Sequence, residues 1–301
     1  MNTSQQYKSG YVALVGEPNV GKSTLLNALL QQKLSIVTPK PQTTRHKIAG
    51  ILSTENSQIV FLDTPGIIAP KYLLHQAMMK AVESALDDAD IVFVLFDAEK
   101  VFRDEYSTED EFFIKATAEH KKTFLILNKI DLFKKEEVLV LIDRLHALFP
   151  YDEIIPISSL KNFGMQELIS TLNKYLPVNP PFFPTDIVAE SSERFFVSEI
   201  IREKIFGLYG QEIPYSTSVD IIEFKERTKG KHYINAEIYV EKESQKGIIV
   251  GKEGKVIRKL GELARADIEK FLNHAVFLDL HVKVREGWRE QNEWLKRLGY
   301  Q

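Results

Sequence analysis

Gly16-Glu17-Pro18-Asn19-Val20-Gly21-Lys22-Ser23 follows the apolar run Tyr11–Val15 and opens a helix-period segment, Ser23–Leu34. The spacing G-x-x-x-x-G-K-S between a strand and a helix predicts a phosphate-binding loop. Glycines let backbone approach a ligand closely, and amides at a helix N-terminus hold anionic oxygens. Lys22 is expected on the β- and γ-phosphates, and the Ser23 hydroxyl on Mg²⁺. A loop of this kind belongs to an α/β sheet, so these eight residues decide the fold of the first half.

Outward from the loop, apolar strands are predicted at Ile59–Leu62, Ile91–Phe96, Thr123–Leu127 and Ile154–Ile157, with an edge strand at Ile48–Ser53. Helical patterns lie at Leu74–Asp87, Thr108–Glu119, Lys135–Phe149 and Met165–Leu176. Continuous apolar strands separated by helices imply a mostly parallel sheet with helices on both faces. Ligands on such sheets sit at the carboxyl ends of the strands.

Two further motifs stand there. Asp63-Thr64-Pro65-Gly66 ends one strand: Asp63 is expected to hold Mg²⁺ through water, and the Gly66 amide to sense a γ-phosphate beside Ile67. Asn128-Lys129-Ile130-Asp131 follows another strand. The Asp131 carboxylate can accept hydrogen bonds from guanine N1–H and the 2-amino group. Adenine has neither donor and would leave the carboxylate unpaired. Asn128 is expected to bond the purine and tie loops together, with the Lys129 stem along the ring. Ser158-Ser159-Leu160-Lys161 is the expected fourth wall, offering an amide to guanine O6. In the polar loop Thr38–Arg45, Thr43 or Thr44, with Thr44 favoured, would complete the Mg²⁺ shell in the triphosphate state only.

The chain has 301 residues, 44% hydrophobic and 27% charged, enough for two cores. Its lack of cysteine excludes disulfides and thiolate metal sites. No apolar run reaches the ~18 residues of a membrane span. Met1–Gly10 lacks the features of a signal peptide, so a cytoplasmic protein is expected. Pro177–Pro184 holds four prolines and predicts an extended linker. The expected division is a GTPase domain over 1–176, a proline-rich linker over 177–191 and a second domain over 192–301.

The second domain reads as an α+β plan. A helix (Ser192–Phe206) precedes strands Ser216–Glu226 and Tyr233–Glu241. A Gly-containing helical turn, a helix (Val256–Asn273), a strand (Val276–Val284) and a short last helix follow. Residues 225–265 carry 11 basic against 6 acidic residues, which suits a polyanion. Gly251-Lys252-Glu253-Gly254 fits a GxxG loop that brings backbone close to a sugar-phosphate, with Lys255, Arg258 and Lys259 adding attraction. Ile248, Ile249 and Val250 are expected to line an apolar groove. Gly207–Gly210 is a second GxxG match. Trp288, Trp294, Leu295 and Leu298 are expected to pack on this domain.

In combination, Gly16–Ser23 with its Pro18-Asn19, Gln42-Thr43-Thr44-Arg45, Asp63–Gly66, Arg202–Ile205, Gln211–Ser216 and Gly247–Gly254 resemble the Era family of GTPases over residues 10–300. The resemblance implies a GTPase domain followed by a type II KH domain, with GTP/GDP and Mg²⁺ bound. It also implies K⁺ near the phosphates at Asn19. The family's partners would be the small ribosomal subunit, whose assembly it assists, and its 16S RNA near the 3′ end, with partial peripheral association with the inner membrane. A monomer is expected. Lys22, Asn19, Thr44, Asp63 and Gly66 would carry catalysis. Ile67 stands where Ras-like sites place a water-orienting glutamine, which implies slow unaided turnover. The rival readings are a constitutive RNA-binding module with a structural nucleotide, and a GTPase of tRNA modification. The latter type usually ends in a catalytic cysteine, which this chain lacks.

Overall fold

The computed structural model describes residues 6–106, 121–146 and 151–300. They form two units: the described residues of 6–35, 44–69 and 78–190 in the first, and 36–43, 70–77 and 191–300 in the second.

The apolar runs of the first unit become β1 (Lys8–Val15), β2 (Ile48–Ser53), β3 (Ser57–Asp63), β4 (Ile91–Asp97), β5 (Lys122–Asn128) and β6 (Glu153–Pro156). Their order in the sheet is β2-β3-β1-β4-β5-β6. Only the edge strand β2 is antiparallel to its neighbour. Every residue of β3 and β4 is buried, as a sheet covered on both faces requires. The helices are α1 (Lys22–Leu30), α2 (Leu73–Asp88, of which 73–77 group with the second unit), α3 (Ala98–Phe102), α4 (Lys135–His146) and α5 (Met165–Tyr175). The expected helix Thr108–Glu119 and the end of Lys135–Phe149 lie outside the described residues.

Helix α1 stops four residues short of the expected Leu34. Gln31 turns left-handed (φ 51°). The Asn27 side chain then accepts from the Leu34 and Ser35 amides at 2.9 Å each and donates to Ser35 O at 2.9 Å. This side-chain turn satisfies backbone groups that another helical turn would have paired.

Residues 177–190 are extended, but they are anchored along the first unit. The Ser9 amide donates to Pro177 O (3.2 Å) and its hydroxyl to Pro180 O (2.6 Å). Gln58, 0% exposed, accepts from the Phe182 and Phe183 amides (2.7 and 2.9 Å) and donates to Phe183 O (2.8 Å). Phe182 stacks on Tyr11 at 5.0 Å. Prolines leave the segment short of donors, and one buried glutamine supplies three of its hydrogen bonds.

The second unit runs α6 (Glu193–Leu208), α7 (Ile213–Ser216), β7 (Ser218–Lys225), β8 (His232–Val240), α8 (Glu243–Val250), α9 (Lys255–Leu272), β9 (Val276–Val284) and α10 (Asn292–Arg297). β8 is central, antiparallel to β7 and parallel to β9. Val197, Ile201 and Ile205 of α6 meet Leu260, Ala264 and Ile268 of α9 and the inner face of the sheet in one core. Trp288 is 0% exposed, with its indole N–H on Ser216 O at 3.0 Å. Residues 36–43 also belong to this unit. Lys40 Nζ donates to Phe206 O and Tyr209 O at the C-terminus of α6 (2.6 and 2.5 Å). Arg202, buried against Glu199, donates to Thr43 O. A cation at a helix C-terminus satisfies carbonyls that the helix leaves open.

Replacing Gln58 by leucine should expose the anchoring of 177–190. Losing three buried bonds costs about 2 kcal/mol locally. Amide hydrogen exchange at Phe182 and Phe183 is therefore expected to accelerate tenfold or more, with the amides of β4 unchanged. Equal protection in the variant would show that Gln58 does not anchor these residues.

Candidate functional site

Parallel pairing brings the loops after β1, β3, β4, β5 and β6 to one edge of the first unit. Lys22 is buried, and its Nζ donates to Gly16 O (2.8 Å) and Glu17 O (2.9 Å). Burial lowers its pKa from 10.5 to about 8, against the opposing pull of Asp63 and Glu17. The Ser23 hydroxyl donates to Asp63 Oδ2 (2.7 Å) and lies 2.9 Å from Thr44 Oγ1. Asp63 is wholly buried, its Oδ1 has no hydrogen-bond partner among the described residues, and burial pushes its carboxyl above the usual range. An orphaned carboxylate oxygen beside two hydroxyls is the donor set of a hard divalent cation. Ser23, Thr44 and Asp63 thus fit Mg²⁺. The Thr44 hydroxyl lies in this set, whereas Thr43 belongs to the second unit through its carbonyl.

The loop after β3 lies against the phosphate loop. A side-chain carbon at Gly66 would stand 2.8 Å from Pro18 Cα, so only glycine allows the approach. The Ile67 amide donates to Gly16 O (3.1 Å), and the Thr64 hydroxyl to Leu14 O (2.6 Å). Pro65 is buried, Val20 and Gly21 lead into α1, and Asn19 is exposed with a left-handed φ of 64°.

At the base end Asn128 works as a knot. Its Nδ2 donates to Val20 O (2.8 Å), and its Oδ1 accepts from the Ser159 amide and hydroxyl (3.0 Å each). The amide group is therefore occupied in tying three loops, and Ser159 has a role in that tie. The Ile130 amide donates to Ile157 O (3.3 Å). Ser158 Oγ donates to Asp131 Oδ1 (2.6 Å), orienting an exposed carboxylate for a ligand. Lys129 pairs with Asp97 at 2.5 Å, and Glu17 with Lys100. Sequence reading passed over Asp97 and Lys100. The signal was available, because Asp97 ends β4 as Asp63 ends β3.

In the second unit the GxxG loop joins α8 to α9. Gly251 and Gly254 both hold left-handed φ (70° and 71°), which suits glycine. Lys252, Glu253, Lys255, Arg258 and Lys259 are arrayed around it, with Glu253 3.4 Å from Lys255. A cleft of about 540 Å³ opens beside the loop, walled by Ile257, Arg258, Glu262 and Arg265 of α9 and by Leu278 and Leu280 of β9. Gly261 lies in it, where a side-chain carbon would stand 3.6 Å from Leu280 Cδ1. The expectation that Ile249 lines the groove is corrected. Its side chain is 0% exposed in the core, because α8 turns that face onto the sheet. Ile248 is the exposed neighbour. Gly207-Leu208-Tyr209-Gly210 is no loop of this kind: its first two residues belong to α6.

Comparison with known proteins gives both units relatives. Residues 11–129 match a family model described as a 50S ribosome-binding GTPase, and residues 212–289 match the KH domain. GTPase Era of Clostridium kluyveri is 44% identical over 97% of this chain and 99% of its own. The chloroplastic GTPase ERA1 of Zea mays is 46% identical, over 98% of this chain and 71% of its own. A crystal structure of Era in complex with MgGDPNP and nucleotides 1506–1542 of 16S ribosomal RNA superposes with a TM-score of 0.92. It is 40% identical and covers 98% of this chain and 99% of its own. A tyrosine-to-alanine variant of Aquifex aeolicus Era, bound to GDP.AlF4⁻, gives 0.91 at 40% identity, covering 97% and 99%. The chain is a GTPase that binds GTP and GDP, and it belongs to the Era family.

Proposed function

We propose that this chain is a GTP-gated RNA-binding factor for small-subunit assembly, gripping 16S ribosomal RNA near its 3′ end. The observation that carries the reading is the open, Arg-lined cleft beside the GxxG loop, in a chain that also holds a guanine site. The relative crystallised with a 16S fragment supports the choice of RNA. Work on ribosomal RNA agrees with a cytoplasmic protein. No helix among the described residues is long and apolar enough to cross a membrane, and the terminal aromatic Trp288 is buried.

In the nucleotide site, Asp131 takes the guanine edge, with the Lys129 stem along the ring. Lys22 neutralises charge on the β- and γ-phosphates while water attacks the γ-phosphorus in line and the bond to the bridging oxygen breaks. Mg²⁺ held by Ser23, Thr44 and Asp63 would draw charge from the phosphate oxygens. The Ile67 side chain carries no polar atom to orient the water. Asn19, exposed in the phosphate loop, is the residue we assign to K⁺. GTP would order residues 38–45 and set RNA grip, and hydrolysis would release it.

Gly261→Leu fills the cleft from a helical position without forcing backbone strain. It should weaken binding of an RNA equivalent to nucleotides 1506–1542 by tenfold or more while leaving GDP affinity unchanged, both read by fluorescence titration. Undiminished RNA affinity would remove the cleft from the function. In the nucleotide site, a lysine whose pKa is about 8 without ligand must regain its proton to meet phosphate. GDP affinity should therefore fall by up to about tenfold per pH unit between about pH 8 and pH 9, as one unit is 1.36 kcal/mol. A flat profile would contradict the depressed value. Turnover, finally, should be faster in KCl than in matched NaCl, and the difference should vanish in Asn19→Ala; equal rates in both salts reject the K⁺ assignment.

A further inference from the structure

A short helix spans the distance between the base loop and the phosphate loop, and no nucleotide motif includes it. Helix α3 begins where β4 ends. Asp97 is buried there, and its Oδ1 accepts the Glu99 amide at 3.0 Å, capping the helix. The other oxygen, Oδ2, lies 2.5 Å from Lys129 Nζ. One turn along, Lys100 pairs with Glu17 of the phosphate loop. Asp97 thus uses one carboxylate oxygen for its own helix and the other for the base loop.

Lys129 has a long stem and a left-handed backbone (φ 67°). Left to itself, such a side chain samples many rotamers and would lose that freedom on closing over a ring. Fixing its ammonium on a buried carboxylate removes that loss before the nucleotide arrives. A pair with one partner almost fully buried is also less screened than a surface pair. The Lys100–Glu17 pair has both partners about one-third exposed, at 38% and 34%, so it is the weaker arm.

We propose that Asp97 is a positioning residue for guanine nucleotide: it holds Lys129 extended along the base and so sets how long GDP and GTP stay bound. The inference rests on the reading that the Lys129 stem lies on the guanine ring, and the experiment separates the two.

The test follows release of fluorescent GDP from the full chain in four forms: unchanged, Asp97→Asn, Lys129→Met and the double variant. Asparagine keeps an oxygen for the Glu99 amide and removes the charge that faces Lys129. D97N should speed release about tenfold, K129M should speed it at least as much, and the double variant should release no faster than K129M. Thermal melting without nucleotide should be the same for D97N and the unchanged chain, which a merely structural role would not allow. If K129M leaves release unaltered, the reading of Lys129 fails. If K129M is fast and D97N is within twofold of the unchanged chain, the inference about Asp97 fails. It fails equally if the two effects multiply, since independent effects mean that Asp97 does not act through Lys129.

Discussion

Parallel pairing of β3, β1, β4, β5 and β6 is the constraint on which the nucleotide site depends. Each strand must begin at one edge and end at the other, so five loops are delivered to a single rim. Proximity alone would leave those loops loose. Asn128 closes them, because its amide has two donors and two acceptor positions and the structure uses both ends on other loops. Loss of such a residue would untie phosphate and base loops together.

The two units build their sites by opposite means. In the first, charge is buried: Lys22 loses basicity, Asp63 is pushed toward its neutral form, and one oxygen of Asp63 lacks a partner among the described residues. A site under such electrostatic stress gains most from a ligand that brings phosphates and a cation at once. In the second, the cations Lys252, Arg258 and Arg265 stay open to solvent, and Gly254 and Gly261 leave room in a cleft otherwise walled by long side chains. Attraction there is long-ranged and weakened by salt, which suits a flexible polyanion that must be found first and fitted afterwards.

What was legible in the sequence follows the same division. Gly16–Ser23, Asp63–Gly66 and Asn128–Asp131 are contiguous and each follows a strand, so local pattern was enough to place them. The GxxG loop was also contiguous. The cleft beside it was not, because Leu278 and Leu280 come from β9 while Gly261 and Arg265 come from α9. Helical period could have assigned Ile249 to the core, but three adjacent apolar residues carry no information about which one faces inward. Gln58 and Asn27 were invisible for a different reason: each satisfies backbone groups at a place the chain visits later. Residues 36–43 group with the second unit, where Lys40 bonds distant carbonyls and the Thr43 carbonyl accepts from distant Arg202, and no local pattern encodes that.

Ile67 gives the slow turnover expected of this molecule its physical basis. Its side chain cannot orient water, and its amide is already bonded to Gly16 O at 3.1 Å. That bond and the Gly66–Pro18 contact hold the segment against the phosphate loop without adding a group to the chemistry. An arginine supplied to such a site is worth about 10³–10⁵ in rate, on the order of 4–7 kcal/mol. On the proposed reading, a chain without that contribution would keep its triphosphate long enough for encounters with a large RNA to finish. Slow hydrolysis and an exposed, salt-sensitive cleft would then be complementary. The first would hold the bound state open, the second would use that time to find its partner, and a contact that completes the phosphate site would end both.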